Sequence, residues 1–319
     1  MVAPAPPNPH SFLNVARTAL FARTANAGSN EQLGRPGALV AGLGALLAVG
    51  AFFAIPWLGF VAAFCVALVL LLGFGGVGTY LQLERARGHH PDEAVDGVRA
   101  VLRLLVIFAL ITPFWSLFDQ KASTWVLQAG GMAKPDWFQP AQMQALNPAL
   151  VMILIPFNNL VLYPFLRRFG VNPTPLRRMT TGIALSGLAW VVAGGLQLWL
   201  DAGDVVQITW QIVPYIFLTM GEVLVSATGL EFAYSQAPQA MKGVLMSFFN
   251  LSVTVGNLWV LLVNASVKNP AVINQITSSS GLSVNAFLMF FFACFAFAAA
   301  LAFGLFARRY PVVDHYRPA

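Results

Sequence analysis

Long apolar runs alternate with short polar stretches along this 319-residue chain. A hydrocarbon core about 30 Å thick is crossed by about 20 apolar residues in a helix, so each run of that length with few charges predicts one membrane-spanning helix. Eight runs meet this requirement, and they extend approximately from Pro36 to Trp57, Gly59 to Leu83, Val98 to Gln128, Leu146 to Leu166, Met179 to Leu200, Val206 to Tyr234, Val244 to Val267 and Val284 to Phe306. The pattern therefore predicts an all-α polytopic membrane protein. Its first two helices form a tight hairpin that turns near "IPWLGF".

Composition strengthens this prediction. The chain is 58% hydrophobic and only 9% charged, whereas a soluble domain is about 45–50% apolar. The two cysteines, Cys65 and Cys294, each lie inside a predicted span, which argues against a disulfide framework and against a metal cluster. We therefore predict a multi-pass protein that is surrounded by the lipid bilayer and uses no cofactor.

Cationic residues predict the orientation, because loops rich in arginine and lysine stay on the cytoplasmic side of a membrane. They concentrate in alternate connections and at the ends of the chain: Arg17, Arg23, Arg35, Arg85, Arg87, Arg99, Arg167, Arg168, Arg177, Arg178, Lys242, Arg308, Arg309 and Arg317. The other connections hold only Lys134 and Lys268. This distribution predicts a protein of the cell (inner) membrane with both termini in the cytoplasm. It also accounts for the net charge of +6 without any binding of nucleic acid.

The same pattern divides the chain into four segments. Residues 1–35 are predicted to be a cytoplasmic linker that contains a short amphipathic stretch, "FLNVARTALF". Residues 36–83 form the two-helix hairpin, residues 98–309 hold six further spans, and residues 310–319 are a cytoplasmic tail. The proline-rich start, "MVAPAPPNPHSF", lacks the basic and apolar regions of a secretory signal.

Two short motifs imitate chemical sites. "GFGGVG" at 73–78 is similar to a dinucleotide-binding loop, but such a loop follows a strand inside a soluble βαβ unit. Close packing of membrane helices through small residues is the better interpretation. "HHPDE" at 89–93 offers metal-ligand residue types in a short, proline-containing loop without further ligands. A solvated loop is therefore favoured over a metal site.

Three acids inside the predicted spans are the strongest candidates for function, since a charge near the bilayer centre costs at least about 2.5–3.5 kcal/mol. Asp119 shares a helix face with Trp115, four residues earlier, in the outer part of the membrane, a position that suits a gate. Glu222 lies midway along its span with Ser226 one turn further, where secondary transporters bind substrates and protons. Glu231 is predicted to point to the opposite face and to brace an inner gate. The alternative is that these acids pair with one another or with backbone groups and hold the bundle together.

Three longer stretches carry a family resemblance: "TPFWSLFDQKASTWVLQAGGM", "QMQALNPALVMILIPFNNLVLYP" and "GEVLVSATGLEFAYSQAPQAMKGVLMSFFNLSVTVGNLWV". They resemble the carboxyl-terminal half of the proton-dependent oligopeptide transporters, the peptide branch of the major facilitator superfamily. The resemblance covers the chain from about Pro6 onward. It implies the C-terminal six-helix bundle of that superfamily, family helices 7 to 12. The linker and the two-helix hairpin before it follow family helix 6 in many bacterial members.

The resemblance also implies which residues bind substrate. Asn147 and Glu222 would hold the free amino group of a di- or tripeptide, the amide by a neutral hydrogen bond and the carboxylate by a charge-assisted one. Trp115, Phe118 and Ser226 would line the pocket around the peptide.

Further roles follow from the same resemblance. Phe249 stands where the family often has a tryptophan and would line a pocket of somewhat different shape. Asp119 would be the outer-gate acid, whose partner is an arginine on family helix 1. With the proton as coupling ion, Asp119, Glu222 and Glu231 are the residues predicted to take part in coupling and gating. Lys121 stands where close relatives are expected to have a neutral residue.

One family signature has no counterpart. The motif Glu-x-x-Glu-Arg-Phe of family helix 1 is absent from the sequence, since "LERARG" at 83–88 has a different spacing. Family helices 1 to 6 therefore have no match in this sequence. Two explanations stay open. The first is a truncated gene, a displaced start codon or a fragment, and the second is a split transporter that is completed by a separately encoded amino-terminal half.

The sequence thus predicts the C-terminal half of a proton-coupled di- and tripeptide symporter. The alternative is a non-transporting membrane subunit or a degenerate half-transporter. A membrane enzyme ranks last, because the spans contain no Ser/His/Asp, metal or nucleophile constellation.

Overall fold

The computed structural model describes residues 8–22, 36–236 and 241–310. These residues form ten helices: α1 (Phe12–Phe21), α2 (Pro36–Trp57), α3 (Phe60–Ala86), α4 (Asp92–Gly131), α5 (Pro140–Arg168), α6 (Pro175–Asp201), α7 (Ile208–Ser235), α8 (Lys242–Ser266), α9 (Pro270–Ser280) and α10 (Val284–Ala307). Several sequence predictions concern Arg23, Arg35, Arg317 and the tail beyond Tyr310, which lie outside the described residues.

Eight of these helices, α2 to α8 and α10, are long and apolar enough to cross a membrane within the described ranges. This confirms the predicted all-α polytopic architecture. The hairpin is confirmed as well: α2 and α3 meet at a turn where Gly59 has a φ of +79°, a conformation that glycine adopts without steric cost. The helices extend beyond the predicted third and fourth spans, since α4 begins at Asp92 and α5 at Pro140. Hydropathy marks the apolar part of a helix, whereas backbone hydrogen bonding continues into its polar ends.

The described residues divide into two compact units. The first contains the residues up to Ile107 and those between Ala233 and Asn250. Its hairpin is held by close backbone approach: a Cβ atom on Gly37 would lie 2.2 Å from the carbonyl oxygen of Gly78, and one on Gly78 would lie 2.3 Å from that of Gly37. A side chain cannot be accommodated there, so the packing interpretation of "GFGGVG" holds for Gly78, whereas a Cβ atom on Gly73 or Gly75 would meet nothing within 4 Å. The predicted borders of the four segments stay a prediction.

Ion pairs organise the connection between α3 and α4 in this first unit. The guanidinium of Arg87 lies 2.6 Å from Glu84, 2.9 Å from Asp92 and 2.6 Å from Asp96. Arg99 also pairs with Glu84. The motif "HHPDE" therefore lies in a connection whose acidic side chains at Glu84, Asp92 and Asp96 are paired with arginine. Among the described residues, no group of three or more His, Cys, Asp and Glu side chains is placed to hold a metal ion.

The second unit comprises Phe108–Phe232 and the described residues from Leu251 onward. Its core contains four fully buried aromatic side chains. The ring centroid of Trp125 lies 5.3 Å from that of Trp190 and 5.0 Å from that of Tyr215, and Trp190 lies 4.9 Å from Phe292. Gln211 donates a 2.8 Å hydrogen bond to the carbonyl oxygen of Trp125. This bond satisfies a polar group that could not reach water inside a bilayer.

Two glycine crossings in the second unit position the residues of the candidate site. A Cβ atom on Gly221 would lie 2.6 Å from the carbonyl oxygen of Gly182, so α7 contacts α6 directly beside Glu222. A Cβ atom on Gly256 would lie 2.9 Å from Cβ of Trp115, so the backbone of α8 packs on α4. Larger residues at these positions would push the helices apart.

The helices differ in how much of their surface this chain covers. In the most apolar stretch of α4 and of α7, 56% of the residues are buried, compared with 17% in α5 and 22% in α8. α5 and α8 therefore leave most of their apolar surface open. Such a surface faces lipid or another helix bundle in a membrane.

Candidate functional site

Asn147 on α5 and Glu222 on α7 are joined directly. The Nδ2 atom of Asn147 donates a 2.6 Å hydrogen bond to Oε2 of Glu222 and a 3.1 Å hydrogen bond to Oγ1 of Thr219. Asn147 and Glu222 are both half-buried. A neutral amide orients the carboxylate without cancelling its charge, so Glu222 keeps its capacity to bind a cation. The structure thus brings together the two residues that the resemblance assigns to the peptide amino group. That role itself stays a prediction.

Glu222 also marks an irregularity of α7. Regular α-helix ends at Glu222, a π turn covers Val223–Ala227, and α-helix resumes at Thr228. Such wide turns inside helices occur frequently at functional sites. Ser226 lies within this turn and is half-buried. The prediction that Glu231 points away from Glu222 assumed 3.6 residues per turn throughout, and that assumption does not hold across the π turn.

An aromatic cluster lies on α4 immediately after Pro113, which interrupts the hydrogen bonding of the helix. Phe114 and Phe118 are four residues apart, and their rings stack with centroids 6.0 Å apart. Trp115 meets Phe118 edge to face at 6.1 Å. Trp115 is buried, while Phe118 is half-buried and keeps part of its ring accessible. Their predicted contact with a peptide stays a prediction.

Asp119 follows this cluster and is half-buried. The side chain of Asn257 on α8 hydrogen-bonds to its carboxylate. The arginine that the resemblance assigns as its partner belongs to family helix 1, which has no counterpart in this sequence. In this chain Asp119 is therefore held by a neutral amide, as Glu222 is.

Lys121 is a buried positive charge close to the two acids of the site. It is only 6% exposed, its Nζ atom lies 3.1 Å from the ring centroid of Phe118, and it donates a 3.2 Å hydrogen bond to the Phe118 carbonyl oxygen. It interacts electrostatically with both Asp119 and Glu222. When all three groups are ionised, two carboxylates and one ammonium leave a net charge of −1. The cluster can therefore accept one further positive charge, from an ammonium ligand or from a proton.

Two other predicted residues have different surroundings. Glu231 is exposed and interacts electrostatically with Tyr163. The ring of Tyr163 lies 4.1 Å from the Arg178 guanidinium. Phe249 belongs to the first unit, where it is buried. The predicted roles of Glu231 and Phe249 stay predictions.

Three residues of the site were not among those predicted to function: Thr219, Asn257 and Lys121. The sequence contained a signal for Lys121, because a lysine two residues from an acid inside a span is energetically costly and needs a reason. Thr219 lies three residues before Glu222, and residues at this spacing are neighbours on the surface of a helix. Asn257 carries no local signal, since its partner Asp119 is distant in sequence.

Comparison with known proteins identifies close relatives. A sequence profile of the POT family matches residues 82–279, more than half of the chain. The solved structure of an auto-inhibited POT family peptide transporter is 62% identical with a TM-score of 0.93, over 100% of this chain and 61% of that chain. The POT family transporter PepTSo is 61% identical with a TM-score of 0.89, over 99% of this chain and 61% of that chain.

A curated relative is similar over a shorter region. Peptide transporter 3 of Caenorhabditis elegans is 40% identical over 119 residues, which are 36% of this chain and 17% of that protein. The chain thus spans 61% of the length of each solved relative and 17% of the curated one.

Proposed function

This chain belongs to the POT family. We propose that it forms the carboxyl-terminal half of a proton-coupled di- and tripeptide symporter and that it does not act as an enzyme. The observation that carries the proposal is the 2.6 Å hydrogen bond from Asn147 to Glu222. It presents a partly desolvated carboxylate that a neutral partner has positioned. A carboxylate of this kind binds an ammonium group strongly. The free amino end of a peptide is such a group.

Proton coupling follows from the same carboxylate. A peptide ammonium is held by the charge of Glu222, and a proton on Glu222 removes that charge and weakens the hold. Binding of a proton and release of the peptide are then linked at one residue. Asp119 is a second acid near this site, and Lys121 interacts electrostatically with both Asp119 and Glu222. In the whole transporter, the two halves would rock about a site near the bilayer midplane.

The open surfaces of α5 and α8 support the assignment as one half of a larger bundle. Asp119, Asn147 and Glu222 lie on α4, α5 and α7, and Asn257 lies on α8. These helices correspond to family helices 7, 8, 10 and 11. A six-helix amino-terminal half would cover this polar face and close the cavity. We propose that transport requires such a half, whether it is joined to this chain or encoded separately.

Uptake into proteoliposomes tests this proposal. We define the completed transporter as this chain co-expressed with the amino-terminal half of the 62%-identical solved relative. We expect an inward proton gradient to drive accumulation of a labelled dipeptide by the completed transporter and an uncoupler to abolish it. The chain alone is expected to remain at the level of empty liposomes, because half of the cavity is missing.

Two outcomes would contradict the proposal. Proton-driven accumulation by the chain alone would show that no second half is needed. A completed transporter whose halves co-purify but do not accumulate dipeptide would contradict peptide symport and favour a non-transporting subunit.

We also propose that the protein lies in the cell (inner) membrane with both termini in the cytoplasm, as its arginine-rich connections predict. Asp136→Cys and Arg177→Cys test this orientation in a background that lacks Cys65 and Cys294, since Asp136 and Arg177 are both exposed. In intact cells, a membrane-impermeant maleimide is expected to label Asp136→Cys. Arg177→Cys should react only after permeabilisation. The reverse pattern would place the termini outside.

A further inference from the structure

A pair of histidines joins helix α1 to the connection between α3 and α4. His10 precedes α1, and His90 lies between α3 and α4. Their Nδ1 atoms are 2.9 Å apart, and the rings meet edge to face with centroids 5.2 Å apart. On the other side of its ring, the Nε2 atom of His90 lies 2.9 Å from Oγ1 of Thr18. Both ring nitrogens of His90 are therefore engaged by the segment that contains α1.

The neighbouring hydrogen bonds determine which nitrogens carry protons. Thr18 donates its hydroxyl hydrogen to the carbonyl oxygen of Asn14 at 2.9 Å, so it accepts a hydrogen bond from Nε2 of His90. A neutral His90 then has a bare Nδ1 atom, which accepts from the Nδ1–H of His10. An extra proton on His10 is tolerated, because that ring already donates. A second proton, on His90, would set N–H against N–H at 2.9 Å, and the two cations would repel each other.

We propose that His10 and His90 form a proton-operated latch. The latch holds α1 on the α3–α4 connection while His90 is neutral, and it releases α1 when both histidines are protonated. This is a regulatory contact outside the membrane spans, on the arginine-rich side of the first unit. It does not depend on peptide transport.

The latch acts on contacts that reach helix α8. Phe12, at the start of α1, meets the ring of Phe248 edge to face at 5.7 Å. The buried face of α1 consists of Phe12, Val15 and Ala19, and Gln82 of α3 donates a 3.3 Å hydrogen bond to the carbonyl oxygen of Ala19. Release of α1 would therefore uncover the beginning of α8 and the end of α3. The latch thus couples protonation to packing at the ends of two membrane helices.

The electrostatic surroundings favour a neutral His90 in the latched state. Burial lowers the pKa of His90, and the positive charges of His10 and His89 lower it further. The carboxylates of Glu84, Asp92 and Asp96 do not oppose this effect, because each of them is paired with Arg87. The other charged residues in the described part of the first unit are Arg17, Arg85, Glu93, Arg99, Arg103 and Lys242.

The direction of the pH response follows from this lowered pKa. A free histidine has a pKa of about 6.5, and the latched His90 titrates below that value. The unlatched state therefore binds more protons than the latched state in this range. The contribution of His90 to latching is therefore fully present only above about pH 6.5 and is lost as the pH falls below that value. Binding of a single proton changes the equilibrium constant between the latched and unlatched states by at most tenfold per pH unit. Between about pH 6.5 and about pH 5 this amounts to about 30-fold.

Hydrogen exchange on the full chain in detergent tests the latch without any partner or peptide. Amide protection of Phe12–Phe21 is measured at about pH 7.5 and about pH 5 in the presence of EDTA, and each value is corrected for intrinsic exchange. We expect protection of α1 to fall by up to about 30-fold at the lower pH, while protection of the spans is retained. His90→Gln and His10→Gln should each remove this pH response, because glutamine forms hydrogen bonds but does not titrate.

His89→Gln is the matched control, since His89 is adjacent to His90 and exposed. This substitution removes a neighbouring charge but neither ring of the pair, so α1 protection should still fall at the lower pH. Equal α1 protection at both pH values in the unmodified chain would overturn the latch, as would a pH response that persists in both glutamine variants. A further sample at about pH 7.5 omits EDTA, and α1 protection that is present there but absent with EDTA would overturn the latch and show that a metal ion holds α1. If His90→Gln does not fold, His10→Gln decides alone.

Discussion

Glu222→Gln in the completed transporter is expected to weaken the binding of a dipeptide with a free amino group by at least about 30-fold. Glutamine has the same size and keeps an oxygen that can accept the hydrogen bond from Asn147, which is 2.6 Å long in the structure. The empty site therefore keeps its shape and loses only its charge. Removal of one partner of a desolvated charged hydrogen bond costs about 2–5 kcal/mol. The lower figure corresponds to about 30-fold in affinity.

Equilibrium binding of two ligands shows whether the lost charge acts on the amino group. An N-acetylated dipeptide has no ammonium, so its weaker affinity should change by less than about threefold, or about 0.7 kcal/mol. Glu231→Gln is the matched control, because it makes the same substitution in the same helix at an exposed side chain. It should leave both affinities unchanged. Equal losses for the free and the blocked peptide in Glu222→Gln would contradict the amino-group role.

Asp119→Asn is expected to slow proton-driven uptake by about tenfold while leaving peptide affinity within about threefold of the original. The tenfold change corresponds to about 1.4 kcal/mol in the activation barrier. Asparagine can keep a hydrogen bond to Asn257, so the packing of α4 on α8 is preserved. The substitution changes the net charge of Asp119, Lys121 and Glu222 from −1 to zero. The cluster then attracts a further proton less strongly.

Proton-driven uptake and counterflow exchange of dipeptide, measured on the same liposomes, distinguish a defect in proton coupling from a defect in peptide binding. Counterflow exchange of dipeptide needs no proton gradient and should be less affected in Asp119→Asn than gradient-driven accumulation. Asp201→Asn is the control, because it makes the same substitution at an aspartate that also has neutral hydrogen-bond partners. Asp201, at the end of α6, accepts hydrogen bonds of 2.9 Å from Gln197 and 2.5 Å from Ser283. Asp201→Asn should not change uptake. Unchanged accumulation in Asp119→Asn would reduce this aspartate to a packing role.

Part of the candidate site was predictable from local spacing. Phe114 and Phe118 are four residues apart, and the helix brings their rings together at 6.0 Å. The acids Asp119 and Glu222 were conspicuous because a charge inside a span is costly. The joint placement of Asn147 and Glu222 came from the family resemblance, since no periodicity links residues on two different helices.

Other features of the site depend on contacts between distant parts of the chain. Asn257 was not predicted, because its partner Asp119 lies on another helix. The influence of Lys121 on both acids requires α4 and α7 to pack closely. The π turn after Glu222 was not predicted either, because the sequence of that turn is as apolar as the regular helix around it.

The sequence by itself determined the class, the number and the approximate borders of the membrane helices. A bilayer requires each crossing segment to be apolar and to satisfy its own backbone hydrogen bonds, so these properties are local and are written in consecutive residues. Only the tertiary structure decided which polar groups meet. The 2.6 Å bond between Asn147 and Glu222 depends on how α5 and α7 pack, and the 2.9 Å contact between His10 and His90 depends on where α1 lies. Helix packing is set by the complementarity of whole surfaces, including the glycine crossing of Gly182 and Gly221, and such complementarity is not a property of any single segment.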